Sequence, residues 1–229
     1  MIEFLILFVV LPAAFYFGKF RVPALPVLWI VASYCVWVLS RNGRLSEVAL
    51  VPAGLAGQVP SILAVFLPFA ALVTCFVYRY APDALFRLVR DHPSRWALMM
   101  LAYSLFSVYP QGIIYRAFFF DRYRGLFPST TVTILMSALA FAYMHIVFRN
   151  WKAVVLTGFG GILFALRYAH TGSLFASSLE HALYGCWLFT VGLGNWFYYR
   201  APVSVPELAF SLEARHPLSA TFADRPRRK

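Results

Sequence analysis

Acid is scarce in this chain: nine Asp and Glu stand against 20 Lys and Arg in 229 residues. Charge of either sign is also sparse at 13%, while hydrophobic residues make up 61% and the mean hydropathy is +0.71. A soluble domain carries about 25% charged residues, so the composition excludes an ordinary soluble globular fold. The three cysteines, Cys35, Cys75 and Cys186, are odd in number and show no CxxC or Cys/His spacing. That excludes a disulfide framework and a zinc site and leaves them as small packing residues. No cofactor motif and no metal-ligating set is present. No internal repeat exists, so an inverted-repeat transporter is not indicated. No nucleic-acid recognition motif accompanies the net charge of +11, so nucleic acid is not expected as a partner.

What the chain does have is apolar runs of membrane-spanning length. Seven spans are predicted, at roughly 2–17, 22–39, 60–78, 97–120, 131–148, 153–169 and 173–198. The expected fold is an all-α polytopic bundle of about seven to eight spans over residues 1–200, whose first partner is membrane lipid. The opening Met1-Ile2-Glu3 lacks a basic leader, so the first run reads as a retained span. From Ala201 to Lys229 the pattern stops, and a basic, disordered cytoplasmic tail is expected. The loops at 40–59 and 79–96 suit short interfacial helices.

Basic residues set the orientation. With the N-terminus outside and the C-terminus cytoplasmic, Lys19, Arg21, Arg79, Arg87, Arg90, Arg95, Arg149, Lys152 and the six from Arg200 onward fall inside. Arg41, Arg44, Arg122, Arg124 and Arg167 fall outside. Breaking the fourth span at Pro110 inverts everything after it and erases this bias. One long, Pro-kinked span is therefore expected.

Ionisable groups at membrane depth are costly and are functional candidates by default. Arg116 lies in the fourth run, five residues after Gln111, and the later runs carry His145 and the pair Glu180-His181. Each has an ordinary alternative: a snorkelling arginine, a hydrogen-bonded packing histidine, a paired or protonated acid. Gly158, Gly160, Gly161, Gly185, Gly192 and Gly194 are accounted for by close helix packing. Phe118-Phe119-Phe120 and Trp196-Phe197-Tyr198-Tyr199 are placed at span ends as an interfacial belt. On these boundaries His145 lies near the inner end of its span and His181 near the outer end of its own. Tilt or a broken helix has to close a depth difference of about 10 Å if they share a site.

The order Gln111-Gly-Ile-Ile-Tyr-Arg116, Phe141-Ala-Tyr-Met-His145, His181-Ala-Leu-Tyr-Gly185 resembles EExxxR, FxxxH and HxxxN. Those are the motifs of the CPBP family of intramembrane endopeptidases, also called Abi or CAAX proteases. Tyr115-Arg116-Ala-Phe-Phe-Phe and Glu180-His181-Ala-Leu-Tyr are similar to its flanking text, and the resemblance covers about residues 97–198. It implies a membrane-associated or lipidated (CAAX-like) peptide substrate, a water activated by glutamate and histidine, and an oxyanion held by histidine and asparagine. Carried across, Gln111 and Gly112 replace the two glutamates and Gly185 the asparagine, while Arg116, His145 and His181 are kept. An amide is no general base, and glycine brings no side chain. Glu180 is a substitute acid only if its face, about 100° round the helix from His181, opens on the same cavity. Asn195 lies about 21 Å further along the axis.

The candidate site is therefore Gln111, Arg116, His145, Glu180 and His181. The expected activity is intramembrane peptide hydrolysis. The alternatives are an inert relative that binds peptide or lipid as a scaffold, and a small transporter or channel.

Overall fold

The structure, a computed structural model, describes residues 1–18, 23–48 and 55–197. Lys19, Arg21, Tyr198, Tyr199 and the expected tail lie outside the described residues. Among those described there are helices and turns but no strands. Seven long helices form the bundle: α1 Ile2–Phe17, α2 Ala24–Arg41, α3 Leu55–Tyr80, α4 Pro93–Leu126, α5 Thr130–Met144, α6 Trp151–Thr171 and α7 Leu174–Thr190. A 3-10 turn, His145–Phe148, extends α5. Five of these helical stretches are long and apolar enough to cross a membrane; α1 and α7 are shorter. The architecture is the all-α polytopic bundle that the composition implies. The loop before α4 carries a 3-10 turn, Pro82–Ala84, and one short helix, Arg87–Asp91.

Local chemistry sets the helix ends. The hydroxyl of Ser129 caps α5 by accepting from the Val132 N–H, and that of Ser173 caps α7 by accepting from Ala176. The Asn150 carboxamide does the same for α6, which ends on Gly172 at φ +63°. That left-handed conformation is one glycine adopts at little cost.

The helix α4 is the axis of the bundle. Every residue from Gly112 to Phe119 is buried, Arg116 included. It runs through Pro110 unbroken, with π-helical stretches on either side at Ser104–Val108 and Ile113–Phe118. Proline leaves the carbonyl four residues earlier without its amide donor. Here that carbonyl, of Phe106, accepts from the Trp29 indole N–H of α2 at 3.0 Å. A neighbouring helix thus satisfies the group the proline freed, as apolar surroundings require.

α4 continues to Leu126, and Phe118 and Phe119 face the protein interior. Both are fully buried, against the interfacial belt expected from sequence. Phe119 packs with Phe8 at 5.2 Å and with Tyr123 at 5.6 Å between ring centroids. α5 and α6 approach closely through Gly161, where an added Cβ would stand 3.1 Å from the Ala138 Cα and 3.2 Å from its carbonyl oxygen. Across α4, the Ser137 hydroxyl donates to the Tyr115 carbonyl at 2.6 Å.

Candidate functional site

A cavity of about 390 Å³ lies between these helices, within the range of roughly 300–1,000 Å³ common for ligand pockets. Aliphatic and phenylalanine side chains make up most of its wall, with His145, His181, Gln111, Tyr103, Tyr184, Ser107 and Thr157 as polar members. The depth difference expected between the histidines is bridged by one ring. Phe141 holds His145 at 4.6 Å and His181 at 5.4 Å between centroids. His145 is positioned where α5 gives way to the 3-10 turn, and His181 lies within α7.

The histidines and Gln111 have definite partners. The His145 Nδ1 is 2.7 Å from the Phe141 carbonyl oxygen. A carbonyl only accepts, so Nδ1 carries the proton and the neutral ring offers its lone pair at Nε2. The His181 Nε2 lies 3.3 Å from the Tyr103 hydroxyl. The Gln111 amide nitrogen donates to the Ser107 hydroxyl at 2.8 Å, while its Oε1 is buried with no partner among the described residues.

Arg116 is buried, at 1% exposure, and does not line the cavity. Its guanidinium lies over the Phe141 ring at 4.4 Å and the Phe164 ring at 5.4 Å, and its three nitrogens have no hydrogen-bond partner among the described residues. Stacking on aromatic faces is a contact that a delocalised cation makes well. Arg116 thus supports the ring that carries both histidines.

Glu180 points elsewhere. Its carboxylate takes the Arg167 Nε at 3.0 Å and Nη2 at 3.3 Å, while the Arg167 Nη1 reaches Gln58 Oε1 at 3.0 Å and Ser61 Oγ at 2.7 Å. It is absent from the described cavity wall. The structure therefore brings Gln111, His145 and His181 together, sets Arg116 behind them, and leaves Glu180 in an ion pair joining α3, α6 and α7. Sequence reasoning counted Arg167 only as an outer-side charge at the end of the sixth span, and so missed this partner, which lies within α6.

Neither of the glycines at the motif positions, Gly112 and Gly185, leaves a gap. A Cβ on Gly112 would meet the Ser178 Oγ at 2.8 Å and the Leu174 Cδ1 at 2.9 Å, both from α7. A Cβ on Gly185 would clash with the hydroxyl and ring of Tyr103. Neighbouring side chains fill the space at both positions. Tyr103 was overlooked in the sequence, yet Tyr103, Ser107 and Gln111 follow at four-residue spacing on one face of α4. Such a polar stripe in an apolar helix was a readable signal.

Two imidazoles, an amide and two phenols around an apolar cavity inside a helical bundle define a class: an integral membrane protein with an embedded polar site. The comparison with known families is specific. The family described as Type II CAAX prenyl endopeptidase Rce1-like matches residues 93–187, from the start of α4 to Trp187 in α7. The match is at the family level and agrees with the CPBP, or CAAX-protease-like, resemblance of the motifs at 111–116, 141–145 and 181–185. No curated protein and no solved structure matches the chain.

Proposed function

We propose that the cavity binds an apolar stretch of a membrane-associated or lipidated peptide and that His145 is the base that activates water against it. The arrangement of His145 carries this reading: Nδ1 is engaged by a carbonyl, leaving Nε2 as the lone pair of a residue lining the cavity. In the step proposed, Nε2 takes a proton from water as the oxygen attacks the peptide carbonyl carbon. The tetrahedral intermediate then collapses, the C–N bond breaks, and the His145 imidazolium returns the proton to the leaving amine. Gln111 borders the bound peptide from α4, and Arg116 supports Phe141. The N-terminus outside, the C-terminus inside a bacterial inner membrane and a 1–200 helical domain complete the proposal.

The test is cleavage of a prenylated peptide by the purified protein in detergent. Turnover is expected to fall by at least about 100-fold in His145→Ala, at the lower end for loss of a general base, with the fold retained. Activity unaffected by both His145→Ala and His181→Ala refutes the site.

A second reading, binding without turnover, is favoured by one observation: no carboxylate lines the cavity among the described residues. Gln111→Glu separates the two. Cleavage that arises only in that variant identifies a parent that binds and does not cut; cleavage by the parent rejects this reading.

A further inference from the structure

We propose that the Tyr103 hydroxyl is the donor that stands in for the side chain missing at Gly185, binding the oxyanion that forms in the cavity. The inference deepens the hydrolytic reading and rests on it for the identity of the ligand, a tetrahedral oxyanion derived from a peptide bond.

The geometry is a substitution in space. Gly185 follows His181 by four residues, so the two share a face of α7, and a side chain at 185 would project beside the imidazole. That volume is filled from α4. The Cβ that any other residue would place at 185 would clash with the Tyr103 hydroxyl, and the ring carbons Cε1 and Cζ would both lie 2.5 Å from it. The phenol therefore occupies the place where an asparagine in that motif would begin. Glycine at 185 is a condition for its presence.

The hydroxyl is also held for the task. It lies 3.3 Å from the His181 Nε2, and the ring is gripped edge-on by Phe189 at 5.1 Å between centroids. Tyr103, His181 and Gly185 all line the cavity. With the His181 Nε2–H donating to Oη, the phenolic hydrogen is free to point into the cavity. Oη–H then donates to developing negative charge, and the imidazole polarises it from behind. A donor aimed at the oxyanion in an apolar pocket is worth more than the same donor in water. Tyr103 gives up no proton in this role, so it makes no demand on the acid–base cycle of His145.

The measurement is binding, read independently of turnover. A peptide phosphonate supplies a stable tetrahedral anion, and the same peptide with an uncleavable N-methyl amide supplies the ground state. Tyr103→Phe keeps the ring and removes only the hydroxyl. It is expected to weaken the phosphonate by about 10- to 100-fold, the worth of one hydrogen bond to a charged group, and to leave the amide peptide unchanged. Equal weakening of both ligands, no change in either, or a parent that does not bind the phosphonate overturns the proposal.

A second pair of variants removes dependence on one substitution. Tyr103→Ala vacates the space, and Tyr103→Ala with Gly185→Asn restores a donor from α7. The double variant is expected to recover phosphonate affinity relative to Tyr103→Ala, and no recovery counts against the exchange of roles. A parent that binds the phosphonate through Tyr103 but cuts nothing leaves this proposal standing and removes the hydrolytic one. A parent that cleaves, with kcat and phosphonate affinity indifferent to Tyr103→Phe, does the reverse.

Discussion

Removing either member of the Glu180–Arg167 pair is expected to destabilise the bundle without altering the chemistry of the cavity. The two side chains are 2% and 14% exposed, with Nε to Oε2 at 3.0 Å, so both ions sit largely out of water. Desolvation of such a pair is offset by mutual attraction and hydrogen bonds, and stranding one partner costs about 3–5 kcal/mol. Glu180→Leu strands Arg167, which retains only the neutral contacts of Gln58 and Ser61. Arg167→Leu strands Glu180, the more buried ion. Replacing both with leucine leaves no unpaired charge. Ser61 keeps its bond to the Gln58 carbonyl at 2.8 Å, and the cost should fall well below the sum of the singles. The assay is unfolding in mixed micelles by increasing SDS fraction, with each single, the double and the parent compared as a cycle. Additive losses refute the ion-pair argument. A Glu180→Leu protein as stable as the parent, but deprived of peptide cleavage or binding, shows instead that the carboxylate acts in the chemistry.

Other expectations follow from single contacts. Gly112→Ala pushes a methyl against Ser178 and Leu174 at 2.8 and 2.9 Å and should cost about 1–3 kcal/mol in the same unfolding assay; a neutral result refutes the close approach of α4 and α7. Trp29→Phe takes the indole donor from the Phe106 carbonyl beside Pro110 and should cost about 1 kcal/mol, whereas in a Pro110→Ala background, which supplies the missing N–H, the loss should shrink. Ser137→Ala removes the bond to the Tyr115 carbonyl and should cost about 0.6 kcal/mol, the mean for such interhelical bonds in a membrane; a change above about 2 kcal/mol there points to more than that one bond.

Much of the bundle was legible because span length and polarity are one-dimensional constraints. A lipid-embedded chain must satisfy its backbone within each helix, so runs of about 20 apolar residues announce themselves. The continuation of α4 through Pro110 followed from charge asymmetry, but its mechanism did not: Trp29 lies 77 residues away from Phe106. The misreading of Phe118 and Phe119 has a similar origin. Hydropathy marks where a run weakens, and α4 carries Asp121, Arg122 and Arg124 in its last turns while remaining helical to Leu126.

The candidate site divides along the same line. Motif order alone was enough to bring forward Gln111, Arg116, His145 and His181, and to show that a glutamate pair and an asparagine are missing. Those identities are fixed by the chain and need no coordinates. Which atoms face the cavity is a matter of packing. The Phe141 carbonyl sets the tautomer of His145, two phenylalanine rings hold Arg116, and Arg167 takes Glu180 away from the site. Sequence shows Gly112 and Gly185 as losses; tertiary structure shows them as close approaches, filled by α7 in one case and Tyr103 in the other. A glycine records what its own position lacks, and only the neighbouring helix determines what occupies the space.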